Sequence, residues 1–428
     1  GLMYNNYSSI GNYGSNNILW GAIAPDNLRL EMIRWEKSKS WNVGVNLNFL
    51  EEMLQFDFNV YDKKTTDLLM QNRKIPSSTG FSSLSWANVG EMENKGWELF
   101  FNTNDICKIG KFSMVVRANV AQNINRINEM DPTVLASMNA EFNYTNENYL
   151  SRVQIGNALG GIYGFRYKGV YRFDYDHSGY GKNTDYTNTA AAAEASGDNY
   201  TCPVARDANG NIIYDANGNP RHMIFNYGGV NYEFQGGDAI YEDINHDGQI
   251  NELDIVYLGS SNPKISGGFG FDFKYGRWTL KTNFNFRIGN KIVNMALMKA
   301  EDMMYNRNQA TSVNARWRKN GDRTDMPRAL NSAAADGNVY NALASDRYVS
   351  SGDYLRFQYL QLSYRVPEKF LKKYGLRQLN ISASGNNLIF WSKYSGTDPD
   401  HSQSGYGPTI DDAQTPRSRS FTVSLNVG

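Results

Sequence analysis

WTLKTNFNFRI, residues 278–288, alternates without a break. Trp278, Leu280, Thr282, Phe284, Phe286 and Ile288 fall on one side; Thr279, Lys281, Asn283, Asn285 and Arg287 fall on the other. A strand has a side-chain period of two, so this stretch predicts a strand with one apolar and one polar face. Two environments produce that pattern. The apolar face can lie on a protein core with the polar face in water, or it can lie in lipid with the polar face lining a lumen.

Several other stretches repeat the pattern. WNVGVNLNFL (41–50) sets Trp41, Val43, Val45, Leu47 and Phe49 against Asn42, Gly44, Asn46 and Asn48. LQFDFNVYD (54–62), GWELFFNTN (96–104), FSMVVRANVAQN (112–123) and GGFGFDFKY (267–275) follow. YLRFQYLQLSYRV (354–366), LNISASGNNLIFW (379–391) and RSFTVSLNV (419–427) complete a set of about nine long strands. In YLRFQYLQLSYRV the apolar set changes phase near Tyr359, which predicts a bulge or a strand end there. Trp41, Tyr275, Trp278 and Trp391 stand at the expected strand ends, where they suit interfacial girdles or ordinary cross-strand packing.

The connections discriminate between the two environments. They alternate short and long. The short ones follow residues 50, 104 and 275, with a helical turn expected in PEKFLKKYGLRQ (367–378). The long ones cover about 72–87, 124–266, 289–353 and 392–418. A soluble sandwich has no reason to sort loop lengths to opposite strand ends, whereas an outer-membrane barrel does, with short periplasmic turns and long external loops. Strand length agrees. Eleven residues at ~3.3 Å rise, tilted by ~40°, reach about 28 Å, close to the ~25 Å apolar band of such barrels. The expected fold class is all-β, a transmembrane antiparallel barrel. Phe284 and Phe286 then face outer-membrane lipid, and Lys281, Asn283, Asn285 and Arg287 face a watery lumen.

Composition supports this and excludes other classes. Among 428 residues, Lys+Arg and Asp+Glu both number 43, so no net charge favours a nucleic-acid partner. Mean hydropathy is −0.56, compatible with strands that are half polar and loops that are polar throughout. Two cysteines, Cys107 and Cys202, make neither a disulfide scaffold nor a metal cluster. No apolar run of about 18 residues exists for a membrane helix. GLMYNN at the start has neither the basic nor the apolar region of a signal peptide. The chain is therefore read as a segment of a longer one. If short turns are periplasmic, the first and last of the nine strands both run downward. A closed ring then needs further strands, because an open edge in lipid leaves N–H and C=O groups unpaired.

DINHDGQINELD (243–254) is the sharpest local motif. Asp243, Asn245, Asp247, Gln249, Asn251 and Asp254 occupy positions 1, 3, 5, 7, 9 and 12 of a calcium loop, with Gly248 at the turning sixth position. Calcium prefers oxygen ligands, which these residues supply. Position 12 is Asp, where Glu is usual, and no flanking helices are evident. The expected role is structural Ca2+ bracing an external segment; the alternative is an Asn/Asp/Gly-rich turn that binds nothing. DANGN occurs at 207–211 and 215–219, and its Asn-Gly pairs predict a small hairpin. KIVNMALMKAEDMMYN (291–306) has helical composition and is expected as a short helix over the barrel mouth. GGFGF lies within a strand with no helix behind it, so it is no dinucleotide fingerprint. His177, His222, His246 and His401 lack metal-ligand spacing, and no nucleophile or acid/base constellation stands out, so no enzyme is expected. NYGSNNILWG (12–21) is expected as an aromatic loop that packs on itself or stacks on a ligand.

In its ordered segments the sequence resembles the C-terminal barrel part of the SusC/RagA family of TonB-dependent outer-membrane transporters. The segments include LRLEMIRWEKSKSWNVGVNLNFL (28–50), FDFNVYDKKTTDLL (56–69), NVGEMENKGWEL (88–99), LGSSNPKISGGFGFDF (258–273), SDRYVSSGDYLRFQYLQLSYRVP (345–367), SGNNLIFWSKYSGTDPD (384–400) and PRSRSFTVSLNV (416–427). The resemblance implies a 22-stranded barrel with a plug, of which these are the last strands, the plug domain lying outside this chain. It implies import of oligosaccharides or oligopeptides energised by TonB, with a SusD-like surface lipoprotein as lid, in the outer membrane of a Gram-negative bacterium. It also places 124–266 as a large extracellular loop region holding the calcium-type loop. The family usually ends in an aromatic residue, whereas this chain ends at Gly428. Two other readings stand beside this one: a passive porin-like barrel, and a secreted β-rich glycan-binding protein.

Overall fold

In a computed structural model of the chain, residues 278–288 form a strand, and it lies in the middle of a nine-stranded antiparallel sheet. The structure describes residues 7–15, 18–25, 30, 33–74, 83–132, 135, 149, 153–173, 202–227, 230–330, 340–401 and 407–428. The sheet strands are β1 (Lys37–Phe49), β2 (Leu54–Thr66), β3 (Gly90–Thr103), β4 (Phe112–Met130), β5 (Ile265–Tyr275), β6 (Trp278–Ile288), β7 (Tyr354–Arg365), β8 (Leu379–Ser392) and β9 (Ser420–Val427). Each pairs with its sequence neighbour, in the order β1 to β9. Among the described residues the sheet is not closed, and β1 and β9 are its edges.

The alternation sets the register. Phe269 stands opposite Phe284, and Phe284 opposite Phe357. Their rings stack at 4.9 Å and 4.5 Å, forming an aromatic ladder across three strands. Such cross-strand pairs stabilise a sheet by roughly 0.2–1 kcal/mol each. The phase change expected near Tyr359 is a bulge at Gln358: pairing passes from Phe357 to Tyr359 on both neighbours of β7. Asn387 on β8, at φ +53°, and Leu388 take up the slack on that side. The extra residues keep Phe357 and Leu360 on one face of the sheet.

Several strands are longer than their alternation suggests. β1 begins at Lys37, so Trp41 lies inside the strand and not at its end. β4 continues to Met130, past the apolar pattern that stops near Asn123. There the strict alternation breaks, Ile127 and Met130 join a small core with Ala87, Val89 and Val153, and backbone pairing with β3 as far as Gly90 holds it extended. On the polar face, Tyr61 Oη donates to Asn123 Oδ1 at 3.2 Å, crossing β3 at Gly96. A Cβ at Gly96 would sit 2.5 Å from Tyr61 Oη, so only glycine admits this crossing.

Short connections (50–53, 104–111, 276–277 and 366–378) lie at one end of the sheet and long ones at the other. The connection at 366–378 holds the expected helical turn, α2 (Glu368–Leu371). The long connections build a cap. Its core unites Tyr163, Phe165, Phe225, Phe234, Tyr241, Ile250 and Tyr340, all nearly inaccessible. Phe225 and Tyr340 stack at 4.2 Å. A buried Asp238 ties the cap together: Arg328 Nε donates to it at 2.7 Å, Tyr232 Oη at 2.7 Å and Asn341 Nδ2 at 3.2 Å. Within 291–306, the helix α1 spans only Met295–Glu301 and is capped by the Asn294 side chain, which accepts from the Leu297 N–H at 2.9 Å. The first residues of that stretch, Lys291–Asn294, form a short strand that pairs with Val349–Ser351 and with Ile410–Asp411. No helix among the described residues is long and apolar enough to cross a membrane, which says nothing of strands.

Residues 12–15 and 18–21 belong to two paired strands, Tyr7–Ser15 and Ile18–Pro25, and not to a loop, because their backbones pair from Tyr7↔Pro25 to Ser15↔Ile18; residues 16 and 17 lie outside the described residues. The opening GLMYNN and His177 also lie outside them.

Candidate functional site: the polar wall and the acidic loop

The polar residues of β6 sit where the alternation puts them. Lys281 is paired with Asp272 and Gln361, Asn283 with Gly270 and Tyr359, Asn285 with Gly268 and Arg356, and Arg287 with Ser266 and Tyr354. Arg117 of β4 joins this face, its Nη2 donating to Asp272 Oδ1 at 2.6 Å.

Towards the long-loop end, the polar face meets a strap made of residues 393–401 and 407–419. Arg356 Nη2 donates to Asp398 Oδ1 at 2.5 Å, with both side chains buried. Arg287 Nη1 and Arg417 Nη2 both reach Asp400, at 3.0 Å and 2.9 Å. Burial alone would raise the Asp398 carboxyl. The Asp400 backbone N–H and the Arg356 guanidinium overcome that and hold it below the usual carboxylate range. Further along, Asp411 accepts from Tyr394 Oη at 2.6 Å and lies 3.3 Å from His401 Nε2. Alternation on β6 singled out Arg287. It gave no hint of Asp400 as its partner, nor of the pairs Arg356–Asp398 and Arg417–Asp400, because charges brought together by a long connection carry no period.

The acidic loop adopts the backbone that its spacing predicts. Asp243 accepts from the Gly248 N–H at 2.7 Å, and Asp247 accepts from the Gln249 N–H at 2.8 Å. Gly248 has φ +79°, the left-handed conformation required at the sixth position. Asp254 accepts from the N–H groups of Ile244 at 2.8 Å and Asn251 at 2.9 Å, closing the loop on itself as one half of a capping box. Asn245 Nδ2 donates to Asp247, and Gln249 Oε1 accepts from Asn226. Burial, with the like charges of Asp243 and Asp247, pushes the Asp254 carboxyl up to about 6; burial also raises Asp243. Among the described residues, no group of three or more acidic, histidine or cysteine side chains converges closely enough to hold a metal ion. The six expected ligands thus share a loop of the right handedness, and their carboxylates are turned to backbone N–H groups.

Each DANGN copy is its own turn. Asp207 and Asp215 accept from the backbone of Asn211 and Asn219, both at 2.8 Å, and the bridges Arg206↔Ile212 and Tyr214↔Pro220 close each copy separately. The eight-residue spacing therefore gives two hairpin turns where one is expected. A cavity of about 240 Å³ lies between the first turn and the acidic loop, lined by Tyr171, Met223, Arg206, Asp207, Asp243 and His246 among others.

With fold and geometry in place, comparison with known proteins is informative. The family model described as TonB dependent receptor-like, beta-barrel matches residues 2–235. TonB-dependent receptor P3 of Formosa agariphila is 28% identical over 431 residues, covering 98% of this chain and 36% of that relative. TonB-dependent receptor SusC of Bacteroides thetaiotaomicron is 28% identical over 153 residues, covering 35% of this chain and 14% of SusC. The RagAB peptide transporter shares the fold, with a TM-score of 0.65 at 17% identity, covering all of this chain and 38% of that one. The chain thus spans a little over a third of the length of P3. It belongs to the TonB-dependent receptor-like β-barrel family, a family of outer-membrane receptors rather than enzymes, and its nine-stranded sheet is part of such a barrel wall.

Proposed function

We propose that this chain forms part of the barrel and the external cap of an outer-membrane active importer, energised through TonB. Its solute is an oligosaccharide or an oligopeptide, captured beneath a SusD-like surface lipoprotein. The observation that carries this reading is the division of one meander into an apolar face, a polar face and a single loop-rich end. An apolar face left accessible along nine strands suits lipid, and a polar face bearing Lys281, Asn283, Asn285, Arg287 and Arg117 suits a lumen that passes a polar solute. The RagAB peptide transporter, whose fold this chain shares, supports a peptide as one of the two solute classes; the oligosaccharide class and the lipoprotein lid rest on the family resemblance of the sequence.

Ca2+ belongs to this proposal as a structural ion of the loop 243–254. Asp243, Asn245, Asp247, Gln249, Asn251 and Asp254 would hold it. The donor chemistry fits: three carboxylates share one loop, Asp254 is raised by burial and by the like charges of Asp243 and Asp247, and no cation among the described residues pairs with any of the three. A divalent ion would relieve that repulsion.

The test is uptake. In cells carrying the intact receptor, accumulation of labelled oligosaccharide or oligopeptide should stop when TonB is deleted and resume on complementation. Accumulation that persists without TonB would favour a passive porin-like barrel. A protein that stays monomeric in buffer without detergent would favour a secreted glycan-binding protein.

A further inference from the structure

At the strap, one carboxylate serves two guanidinium groups. Arg287 Nη1 and Arg417 Nη2 lie 3.0 Å and 2.9 Å from different oxygens of Asp400. The carboxylate is the inner member of the three. The Asp400 side chain keeps 10% of its surface, whereas Arg287 keeps 40% and Arg417 50%. What a solute meets there is therefore cationic. Beside them, Arg356 and Asp398 are buried against each other. The cluster holds three guanidinium groups and two carboxylates, so one positive charge is left over.

The cluster is also rich in donors. Each guanidinium carries five N–H groups in a fixed fork. Arg356 Nε is buried and has no acceptor among the described residues. The Tyr354 ring lies beneath two of the cations, with Arg287 Cζ 5.9 Å and Arg356 Cζ 5.5 Å from its centroid. The Tyr354 hydroxyl feels the charges of Arg287, Asp400, Arg356 and Arg417 together, so all four converge on one place. Phe390 is paired with Arg356, which puts it on the same polar face, and it keeps 37% of its surface. An open phenyl ring beside a cationic cluster suits a solute with an apolar side and an acidic group.

We propose that Arg287 and Arg417 receive a carboxylate of the imported solute, beside Asp400. A single carboxylate brings the cluster to neutrality, and the planar guanidinium fork matches its two oxygens. A neutral solute would leave the extra charge unanswered. The carboxylate can be the end of an oligopeptide or belong to an acidic sugar, since both present the same group. The proposal rests on the reading of the polar face as the lumen of an importer.

The experiment is isothermal titration of the intact receptor with four probes. Two are acids, acetyl-tetraglycine and trigalacturonic acid. Two are their uncharged counterparts, the tetraglycine amide and the trigalacturonate methyl ester. At least one acid should bind about tenfold more tightly than its counterpart, the worth of one hydrogen bond to a charged group. Which acid does so identifies the source of the carboxylate. Arg287→Gln with Arg417→Gln should remove that preference. Adding Asp400→Asn leaves no carboxylate without its cation, and this triple variant serves if the double one fails to fold. Asp400→Asn alone should strengthen the preference, because the solute then has no competitor for the two arginines. A cluster that merely pins the strap would leave the preference unchanged in Asp400→Asn. That result would overturn the proposal, as would acids that bind no better than their counterparts, acids that do not bind, or a preference that survives loss of both arginines. Binding is read without TonB. Uptake that persists in cells lacking TonB would therefore count against the importer reading and not against this site.

Discussion

The wall and the cap bury their apolar residues in opposite ways. In the cap, Phe225, Phe234 and Ile250 are completely inaccessible. In the interior of the wall, Leu362 keeps 44% of its surface and Ile389 48%. The cap carries its own core, as a water-soluble domain must. Among the described residues the wall has no core on its apolar side, and hydrocarbon must supply it. One chain thus folds in two solvents, and the same residue type has a different role in each.

The sharpest way to break this contrast is to exchange the two kinds of apolar site. Phe225→Ala should cost the cap ~3–5 kcal/mol, because it leaves a cavity beside the Tyr340 ring. Hydrogen exchange should show the cap opening while β5 and β6 stay protected. An equal loss of protection in the wall would mean that the two regions unfold as one unit.

The strap joins the two regions, and its anchor should respond to charge. Arg356→Met leaves Asp398 buried without its cation, a change that typically costs about 3 kcal/mol or more. Protease cleavage within 393–419 should then appear at neutral pH. In the parent, Asp398 has a depressed folded pKa. Its contribution is therefore complete above the ordinary carboxylate range and is lost as pH falls through the folded value. Cleavage of the parent strap should therefore rise only in acid, below about pH 4. Acid-independent cleavage would remove the Arg356–Asp398 pair from the account.

Within the wall, Phe284→Lys in the membrane-inserted receptor should cost ~2–4 kcal/mol, and its polar neighbour Asn285→Lys should cost little. Equal costs would show that the two faces have been assigned wrongly. The smallest effect is expected in the acidic loop. At 100 times its dissociation constant, Ca2+ should stabilise the cap by about 2.7 kcal/mol, read as a rise in melting temperature that chelator reverses. Asp243→Ala with Asp247→Ala should abolish that rise. A parent protein indifferent to calcium would leave the loop as a self-capped turn.

The wall was far more legible in the sequence than the cap. A strand has a period of two and each β-strand here pairs with its neighbour, so Phe284 and Asn285 report their faces locally, and even the Gln358 bulge announces itself as a phase change. The cap core draws Tyr163, Phe225, Tyr241 and Tyr340 from segments with no shared period, joined only by tertiary packing. The acidic loop was readable because its ligand spacing is local. Its closure through Asp254 onto the Ile244 and Asn251 N–H groups was not. The strap was missed for the same reason as the cap core: Arg356 and Asp398 are 42 residues apart.

The neighbour-to-neighbour order of the strands bears on how the molecule is made. Each hairpin of the wall is complete as soon as its second strand has paired in the bilayer, so the wall can grow by accretion at one edge. The cap cannot. Phe165 waits for its bridge to Ser345, and Ala239 waits for the Asn341 side chain, about a hundred residues on or more. Contacts so remote in sequence carry a larger loop-closure entropy and form late. Assembly should therefore run from frame to lid, leaving the aromatic interior of the cap in need of shelter until the connection at 289–353 arrives.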